Sequence, residues 1–273
     1  MYFVRKGSSG DSAAGVDGNR RHYQRRSIGA LYARQSGLQT AEAVILSSFH
    51  REIAGGRVLD LGVGGGRTTP FLLQLSWDYV GIDYSPQMIE RCRYRYPLAN
   101  FQVVDARDLS TFPDASFDFA FFSNNGIDAV GHDDRLKILR EVHRKLKSGG
   151  LFVFSSHNRN ARVPKPWNLQ QFDVNPLRSP LRFGKRLAAY PMGIINYLRL
   201  APANEMHTDY CIEVDAGNLY SLMHYRITGK AGKAQLKRVG FRAIETFGID
   251  GRQLSPRELE TVDDWWIHYA CRR

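Results

Sequence analysis

The chain has 273 residues, 43% of them hydrophobic and 24% charged, which is the composition of an ordinary globular protein and excludes a disordered or fibrous one. Its three cysteines, Cys92, Cys211 and Cys271, are odd in number and lack CxxC spacing, which argues against a disulfide framework and indicates a reducing compartment. The formal net charge is +11, but residues 55–157 hold 12 basic and 12 acidic side chains, so the excess lies outside that stretch.

The first 54 residues predict a mobile segment followed by helix. Residues 1–7 lack the apolar core of a signal peptide, and no stretch of about 18 apolar residues follows, so we expect a cytoplasmic protein without a transmembrane segment. Residues 7–19 are rich in Gly, Ser, Ala and Asp, which favours mobility. Residues 27–53 have the spacing of an amphipathic helix, whose apolar side comprises Leu31, Tyr32, Ala41, Val44, Ile45 and Phe49.

A glycine-rich turn follows the first predicted strand, residues 58–61, which contains Asp60. Glycine adopts positive φ and has no Cβ, so such a loop lets backbone N–H groups approach a bound molecule closely. A plain turn is the alternative interpretation of the loop. The loop comprises Gly62, Val63, Gly64, Gly65 and Gly66.

Two further predicted strands lead into a carboxylate. The strand over residues 79–83 ends in Asp83, after which Ser85 and Pro86 have the pattern of a helix start. The strand over residues 101–104 is followed by Asp105. A carboxylate at the end of the second strand can accept hydrogen bonds from both hydroxyls of a ribose.

Polar residues also follow the fourth and fifth predicted strands, residues 117–122 and 151–154. Between these strands, an apolar stripe at helical spacing with acidic residues at its start and basic ones at its end predicts a helix. Strands that alternate with helices predict a largely parallel α/β sheet, with its ligand at the carboxyl ends of the strands. The polar residues are Ser123, Asn124, Asn125, Ser155, Ser156 and His157.

The order and spacing of these motifs resemble those of the class I S-adenosylmethionine-dependent methyltransferases, over residues 55–157 and again over 225–273. Residues 60–66 are similar to their first motif, an acid followed by G-x-G-x-G. Residues 141–150 resemble their E-x-x-R-x-L-K-P-G-G stretch, with Ser148 in place of proline. Residues 236–241 look like the start of their sixth strand, and residues 266–271 would supply the seventh.

The resemblance implies a fold, a cofactor and the residues that bind it. The fold is a Rossmann-like, doubly wound α/β sheet of seven strands with an antiparallel last strand, an N-terminal helical lid and an insertion after the fifth strand. The cofactor is S-adenosyl-L-methionine (SAM), with Asp83 at its ribose, and helices before the first strand would bring residues such as Tyr23 near it. The implied cofactor-binding residues are Asp60, Gly62, Val63, Gly64, Gly66, Asp83, Tyr84, Met88, Asp105, Ala106, Ser123 and Asn124.

A nicotinamide or flavin oxidoreductase is the main rival within this fold class. Its G-x-G-x-x-G fingerprint needs a third glycine for close packing of the helix on the strand, and Arg67 occupies that position here. Asp83 does not discriminate, because both groups of enzymes have an acid after the second strand. Arg67 and Asp105 together favour SAM.

Residues 158–205 depart from the minimal fold, with six prolines and eight basic residues against two acidic ones. A helix or two with an apolar face is predicted over 182–200, and Pro191 argues against one continuous membrane-surface helix. By the resemblance we favour a lid over the acceptor site, with a dimer contact and an interfacial membrane helix as alternatives. The chain thus divides into an N-terminal segment with lid helices (1–54), a SAM-binding core (55–157), this basic insertion (158–205) and the C-terminal part of the core sheet (206–273).

Two more strands are predicted after the insertion, over residues 211–214 and 220–228, with a turn between them. Thr228 would cap a helix over 229–239. Both a substrate-binding role and a plain surface role fit His224 and Arg226. Alternation in the second strand places Tyr220, Leu222, His224 and Arg226 on one face.

Methyl transfer from a sulfonium needs mainly alignment and desolvation, but a hydroxyl acceptor also benefits from a general base. His132 and His157 are the candidate bases, because both follow strands at the carboxyl end of the sheet, and a structural role is the alternative for each. No Asn/Asp-Pro-Pro-aromatic motif follows the fourth strand, which argues against methylation of DNA bases or protein glutamine. No metal site is predicted.

We therefore predict a methyltransferase (EC 2.1.1.-) that acts on a small-molecule acceptor, with oxygen favoured over nitrogen and the basic charge suited to an anionic acceptor. The alternatives are an RNA or protein methyltransferase that docks through the basic insertion, and a catalytically silent SAM-binding partner protein. Nucleic acid is not favoured as a partner, because no appended binding module is visible. A monomer and a homodimer both fit the sequence.

Overall fold

A computed structural model describes residues 18–20, 23, 36–168 and 179–273. Its helices are α1 (Thr40–Ser48), α2 (His50–Ile53), α3 (Thr69–Leu75), α4 (Pro86–Arg95), α5 (His132–Lys145), α6 (Pro180–Leu200), α7 (Gly229–Val239) and α8 (Pro256–Thr261). Its strands are β1 (Val58–Leu61), β2 (Tyr79–Asp83), β3 (Asn100–Val103), β4 (Phe117–Phe122), β5 (Leu146–Asn158), β6 (Glu205–Met206), β7 (Tyr210–Val214), β8 (Met223–Ile227), β9 (Arg242–Phe247) and β10 (Trp266–Arg272). Short 3-10 turns lie at Gly126–Asp128, Ala201–Ala203 and Gly217–Tyr220.

Seven of the strands form the predicted core sheet, in the order β3-β2-β1-β4-β5-β10-β9. The first five of these are parallel, and β10 runs antiparallel to both β5 and β9. Every residue of β1 and β2 is buried, which is typical of parallel strands that are covered on both faces. The prediction of a Rossmann-like, doubly wound sheet with an antiparallel last strand is therefore confirmed.

Helices cover both faces of the core sheet. On one face α5, α7 and α8 contribute Leu139, Leu236 and Leu259 to an apolar cluster. On the other face α1, α3 and α4 contribute Ile45, Leu72 and Ile89 to a second cluster. The sheet thus separates two cores, and its strand ends are left open between the helices.

The other three strands extend the sheet beyond the core. Strand β5 is longer than the predicted 151–154, and its last two residues pair in parallel with Arg226 and Ile227 of β8. Strands β8, β7 and β6 then follow one another in antiparallel order. The predicted domain boundary at residue 205 stays a prediction. The two strands predicted over 211–214 and 220–228 are β7 and β8, which belong to this extension and not to the core sheet.

The predicted helix over 27–53 is shorter in the described part of the chain. Residues 36–39 are not helical, α1 begins at Thr40, and a short second helix follows it. Ala41, Ile45 and Phe49 are buried as predicted, but Val44 is 39% exposed, so it was wrongly assigned to the apolar side. The predicted residues Leu31 and Tyr32 lie outside the described residues.

Helix α6 is continuous from Pro180 to Leu200, so of the predicted one or two helices the chain forms one, and Pro191 does not interrupt it. A proline removes one helical hydrogen bond, and contacts beyond it hold the second half of the helix in place. Asn196 Nδ2 donates to the Leu219 carbonyl over 2.9 Å, and the Tyr197 ring packs edge-on against Tyr220. Within the described residues, no helix combines the length and the apolar character that crossing a bilayer requires.

A buried histidine in the core sheet makes stability depend on pH. His268 of β10 is 2% exposed, neither of its ring nitrogens has a hydrogen-bond partner, and burial lowers its pKa from 6.5 to about 4. Between these pH values the unfolded chain binds a proton that the folded chain does not, so stability is fully present above pH 6.5 and is lost on acidification. We expect a loss of about 3 kcal/mol from this residue.

Urea unfolding at pH 7 and pH 4.5 measures this effect. The variant His268→Leu should lose much less stability between the two pH values than the wild type, whereas the matched change at the exposed His50, His50→Leu, should leave the wild-type difference in place. An equal pH difference in His268→Leu and the wild type would contradict the assignment.

Candidate functional site

A cavity of about 290 Å³ lies where the core strands end. Its walls come from the glycine loop after β1, from the residues after β2, β3 and β4, and from the tip of β5. Two predicted residues, Asp60 and Gly66, do not line it. Ten of the predicted cofactor-binding residues do, namely Gly62, Val63, Gly64, Asp83, Tyr84, Met88, Asp105, Ala106, Ser123 and Asn124.

Backbone geometry fixes the glycine loop against the strand ends. Gly62 and Gly64 have φ of +61° and +54°, a region that side chains disfavour. A Cβ on Gly62 would also lie 2.6 Å from the Phe122 ring. The Gly64 N–H donates to Asp83 Oδ2 over 3.0 Å, so the loop and the end of β2 form one surface.

The Asp83 carboxylate is buried and held by backbone donors. Ser85 N–H donates to Oδ1 over 2.8 Å and Gly64 N–H to Oδ2, yet burial outweighs these bonds and raises the pKa of Asp83 to about 6. Each carboxylate oxygen retains a lone pair that can accept a bond from a hydroxyl group. Ser85 takes the predicted N-cap position of α4, but its hydroxyl donates to Gln87 instead of capping.

Asp60 and Gly66 support the loop from behind the cavity. Asp60 Oδ2 accepts hydrogen bonds from the Thr68 hydroxyl (3.0 Å) and the Tyr79 hydroxyl (2.9 Å), and burial raises the pKa of Asp60 to about 7. Gly66 has φ of +78°, and a Cβ there would lie 2.8 Å from the Tyr96 ring. The structure therefore gives both residues packing positions and brings neither to the cavity.

The residue that replaces the third glycine of an oxidoreductase fingerprint joins the loop to α1. The Arg67 guanidinium makes two hydrogen bonds of 2.7 Å to the carboxylate of Glu42, and it also donates to the Gly37 carbonyl over 2.8 Å. Glu42 is only 1% exposed, so this ion pair is shielded from water.

Part of the N-terminal segment lies over the cavity. Arg20 and Tyr23 line it, and Arg20 lies 3.6 Å from the Asp105 carboxylate. Asp105 is held mainly by Arg107, which donates to both of its oxygens; burial acts to raise the pKa of Asp105, but Arg107 and Arg20 outweigh it and the pKa is lowered. These positions agree with the predicted N-terminal lid as far as residues 18–20 and 23 describe it.

His157 lies at the opposite end of the cavity from Asp83 and Asp105 along the sheet order. It is 8% exposed, and its Nδ1 lies 2.9 Å from Asp128 Oδ2. Burial outweighs the attraction of that carboxylate and lowers the pKa of His157, so the ring is neutral near pH 7. A neutral ring that donates from Nδ1 keeps a lone pair on Nε2 for a ligand.

The Asp128 carboxylate fixes this histidine. It is fully buried, pairs with the buried Arg135 guanidinium, and accepts hydrogen bonds from the Ser156 hydroxyl (2.9 Å) and from the His157 N–H (2.6 Å). Burial acts to raise the pKa of Asp128, but Arg135 and His157 lower it below its usual range. Arg135 in turn donates to Gln235 of α7 over 2.9 Å.

The other candidate base, His132, does not reach the cavity. Its ring stacks on Tyr210 with 4.3 Å between ring centroids, and its Nδ1 lies 3.0 Å from the Tyr225 hydroxyl. This first residue of α5 packs against the strand extension, a contact that its place after β4 does not reveal.

Sequence reasoning missed several cavity residues. Asp215 and Asn218, in the turn between β7 and β8, and Trp266 of β10 line the cavity together with His224, whose role was left open. None of the described residues in the predicted lid, 158–168 and 179–205, lines it. An acid directly after a predicted strand was the available signal for Asp215, whereas Trp266 was expected only as the first residue of the seventh strand.

 Trp266 reaches the cavity through the pairing of β10 with β5, opposite His157, which no local pattern indicates.

Part of this chain is similar in sequence to known methyltransferases. Residues 59–154 match the family model described as a methyltransferase domain. The magnesium-protoporphyrin O-methyltransferase of Rhodobacter capsulatus is 40% identical over 152 residues, which cover 54% of this chain and 65% of that protein. The phosphatidylethanolamine N-methyltransferase of Cereibacter sphaeroides is 32% identical over 123 residues, which cover 42% of this chain and 57% of that protein. The chain thus spans between half and two thirds of the length of these relatives.

A solved structure supports the fold over the whole chain. The 1,6-didemethyltoxoflavin-N1-methyltransferase of Burkholderia thailandensis, solved with 1,6-didemethyltoxoflavin and S-adenosylhomocysteine bound, has a TM-score of 0.58 to this chain. The alignment covers 100% of this chain and 92% of that one, at 12% identity. At this identity the likeness concerns the fold alone.

The buried ion pair between Asp128 and Arg135 should contribute strongly to the free energy of unfolding. Replacing Asp128 by Asn leaves the Arg135 guanidinium buried without a countercharge, and breaking such a pair costs about 3–5 kcal/mol. Chemical denaturation should show this loss in the free energy of unfolding. The control is Glu260→Gln at the exposed Lys230–Glu260 pair, where we expect a loss of less than about 1 kcal/mol. Equal losses in the two variants would contradict the role of Asp128.

Proposed function

We propose that this chain, a class I SAM-dependent methyltransferase by fold and by domain match, transfers the methyl group of SAM to an oxygen atom of a small organic molecule. The predicted family, the predicted enzyme class and SAM as the cofactor are confirmed at the level of that domain. The observation that carries the choice of oxygen is His157, a neutral buried imidazole held by Asp128 in the cavity wall.

The glycine-loop end of the cavity suits the cofactor. Asp83 offers lone pairs to a ribose diol, and the loop from Gly62 to Gly64 brings its backbone close to the cavity. Met88, Val104, Ala106 and Ile138 also line the cavity and offer apolar contact to a flat base. These residues would hold SAM, which supplies an already activated methyl group.

The other end of the cavity suits an acceptor that must lose a proton. In the transfer, the acceptor oxygen attacks the methyl carbon while the carbon–sulfur bond breaks, and the bonding electrons stay on sulfur to leave S-adenosylhomocysteine. The hydroxyl proton passes to His157 Nε2, and the Asp128 carboxylate stabilises the imidazolium that forms. A neutral amine needs no such base to attack, so the buried His157–Asp128 pair favours oxygen.

The relatives support a small-molecule acceptor without deciding its atom, because one is named as an O-methyltransferase and the other as an N-methyltransferase. The cavity is bordered by residues from the N-terminal segment and from the β7–β8 turn, including Arg20, Tyr23 and Asn218, which suits a small ligand better than a polymer. Three expectations from the sequence stay predictions. They are that the acceptor is anionic, that the protein is cytoplasmic, and that it is a monomer or a homodimer.

Loss of the Asp83 carboxylate should weaken SAM binding. A hydrogen bond to a charged group contributes about 1.5–3 kcal/mol, so we expect Asp83→Ala to raise the Kd for SAM about 10- to 100-fold. Isothermal titration calorimetry with SAM and S-adenosylhomocysteine measures this, with the exposed Asp250→Ala as the control. A wild-type protein that binds neither compound would overturn the proposed function.

Removal of the base should slow transfer without weakening cofactor binding. We expect His157→Asn to lower kcat about 10²- to 10⁴-fold while the Kd for SAM stays unchanged. Because burial lowers the His157 pKa, wild-type activity should persist on acidification to below pH 6.5 and then fall as His157 is protonated. The residual activity of His157→Asn should not show this fall at acidic pH.

The assay is a screen of small hydroxylated and amino compounds with isotopically labelled SAM. His132→Asn is the matched control, because His132 lies outside the cavity, and it should keep the wild-type pH profile. Preferred turnover of amines by the wild type, with no effect of His157→Asn on kcat, would contradict oxygen as the acceptor atom.

A further inference from the structure

We propose that the acceptor end of the cavity binds one divalent transition-metal ion through His157, His224 and Asp215. All three residues line the cavity, and one ligand atom from each lies within 4.8 Å of the other two. This inference rests on the proposed function and specifies how the acceptor oxygen is held. The sequence did not predict it, because the three residues come from β5, β8 and the turn before β8.

The spacing between two of the ligand atoms already fits coordination. His224 Nδ1 lies 3.4 Å from Asp215 Oδ2. Two ligands that each bind a tetrahedral ion at about 2.1 Å are separated by about 3.4 Å. The His157 and His224 rings lie 4.8 Å apart between centroids and are inclined by 15°, so both can present a nitrogen at the same edge.

His224 carries a nitrogen without a hydrogen-bond partner. The residue is only 8% exposed, and its Nδ1 faces Asp215 Oδ2 at 3.4 Å without the geometry of a full hydrogen bond. Buried polar atoms in folded proteins almost always have a hydrogen-bond partner, so a nitrogen whose contact with a carboxylate falls short of one is available to a further ligand. A cation between His224 and Asp215 would satisfy both side chains.

The surrounding residues hold the ligands as a metal site requires. Histidine ligands usually donate their second ring nitrogen to a carboxylate, which orients the ring. The Asp128 carboxylate accepts a hydrogen bond from Nδ1 of His157 in this way, which leaves Nε2 of that ring to bind the ion. The Gly217 N–H donates to Asp215 Oδ2 over 3.1 Å, which fixes that carboxylate at the turn.

The donor set selects the class of ion. Two imidazoles and one carboxylate suit Zn²⁺, Fe²⁺, Co²⁺ or Mn²⁺, whereas Mg²⁺ and Ca²⁺ prefer all-oxygen sites. A three-ligand site leaves a position open toward the cavity, where the acceptor oxygen can bind. Coordination would lower the pKa of the acceptor hydroxyl, so that its proton could leave to water. His157 would then act as a ligand of the ion, and it would be the base only when the ion is absent.

The test uses the full chain after treatment with a chelator. Zn²⁺ titration by calorimetry should show one tight site in the wild type, and Co²⁺ should give the visible absorption of a low-coordinate nitrogen and oxygen site. His224→Ala and Asp215→Asn should each weaken Zn²⁺ binding at least about 10-fold, because even outer-shell changes cost about 10- to 100-fold. His207→Ala, which changes a half-exposed histidine outside the cavity, should bind Zn²⁺ as the wild type does.

Several results would overturn the metal site. These are the absence of a Zn²⁺ site in the wild type, several weak sites instead of one, or wild-type affinity in both His224→Ala and Asp215→Asn. Circular dichroism checks that the variants fold, and His224→Gln replaces His224→Ala if the latter does not. SAM binding is measured on the same samples. If the wild type binds SAM but no metal ion, the metal site is refuted and His157 remains the base of the proposed function. If the wild type does not bind SAM, the proposed function itself is refuted.

Discussion

The site depends on one buried charge, the carboxylate of Asp128. A fully buried anion is stable only if donors surround it, and here Arg135, Ser156 and His157 supply them. These donors come from α5 and β5, so the turn after β4 cannot move without disturbing both elements. The orientation of His157 in the cavity wall follows from this arrangement, because both its backbone N–H and its ring are bound to the same oxygen.

The two ends of the cavity are built by different means. At the cofactor end, backbone groups and positive-φ glycines shape the surface, and Asp83 is held by N–H donors. At the acceptor end, side chains from the strand extension face β5, and they meet it where β8 pairs with His157 and Asn158. The cofactor end belongs to the seven-stranded core sheet, while the acceptor end also depends on β7, β8 and the turn between them.

The strands of the core sheet could be predicted because each is a run of apolar residues bounded by turn or helix-start residues close to it in the sequence. The bounds of β1, β2 and β4 agree with the predicted strands, and Thr228 caps α7 as expected. The acceptor end could not be predicted in this way, because His157, Asp215 and His224 come together only through the long-range pairing of β5, β7 and β8. His132 shows the converse, since its position after β4 suggested the cavity, but stacking on Tyr210 holds it outside.

The ion pair between Arg67 and Glu42 links the glycine loop to α1. Linkage between two sites is reciprocal, so a molecule that orders the loop also strengthens the docking of α1, and docking of α1 raises the affinity of the loop for that molecule. The same arginine that distinguishes this loop from a dinucleotide-binding one therefore couples cofactor binding at the loop to the packing of α1 against it.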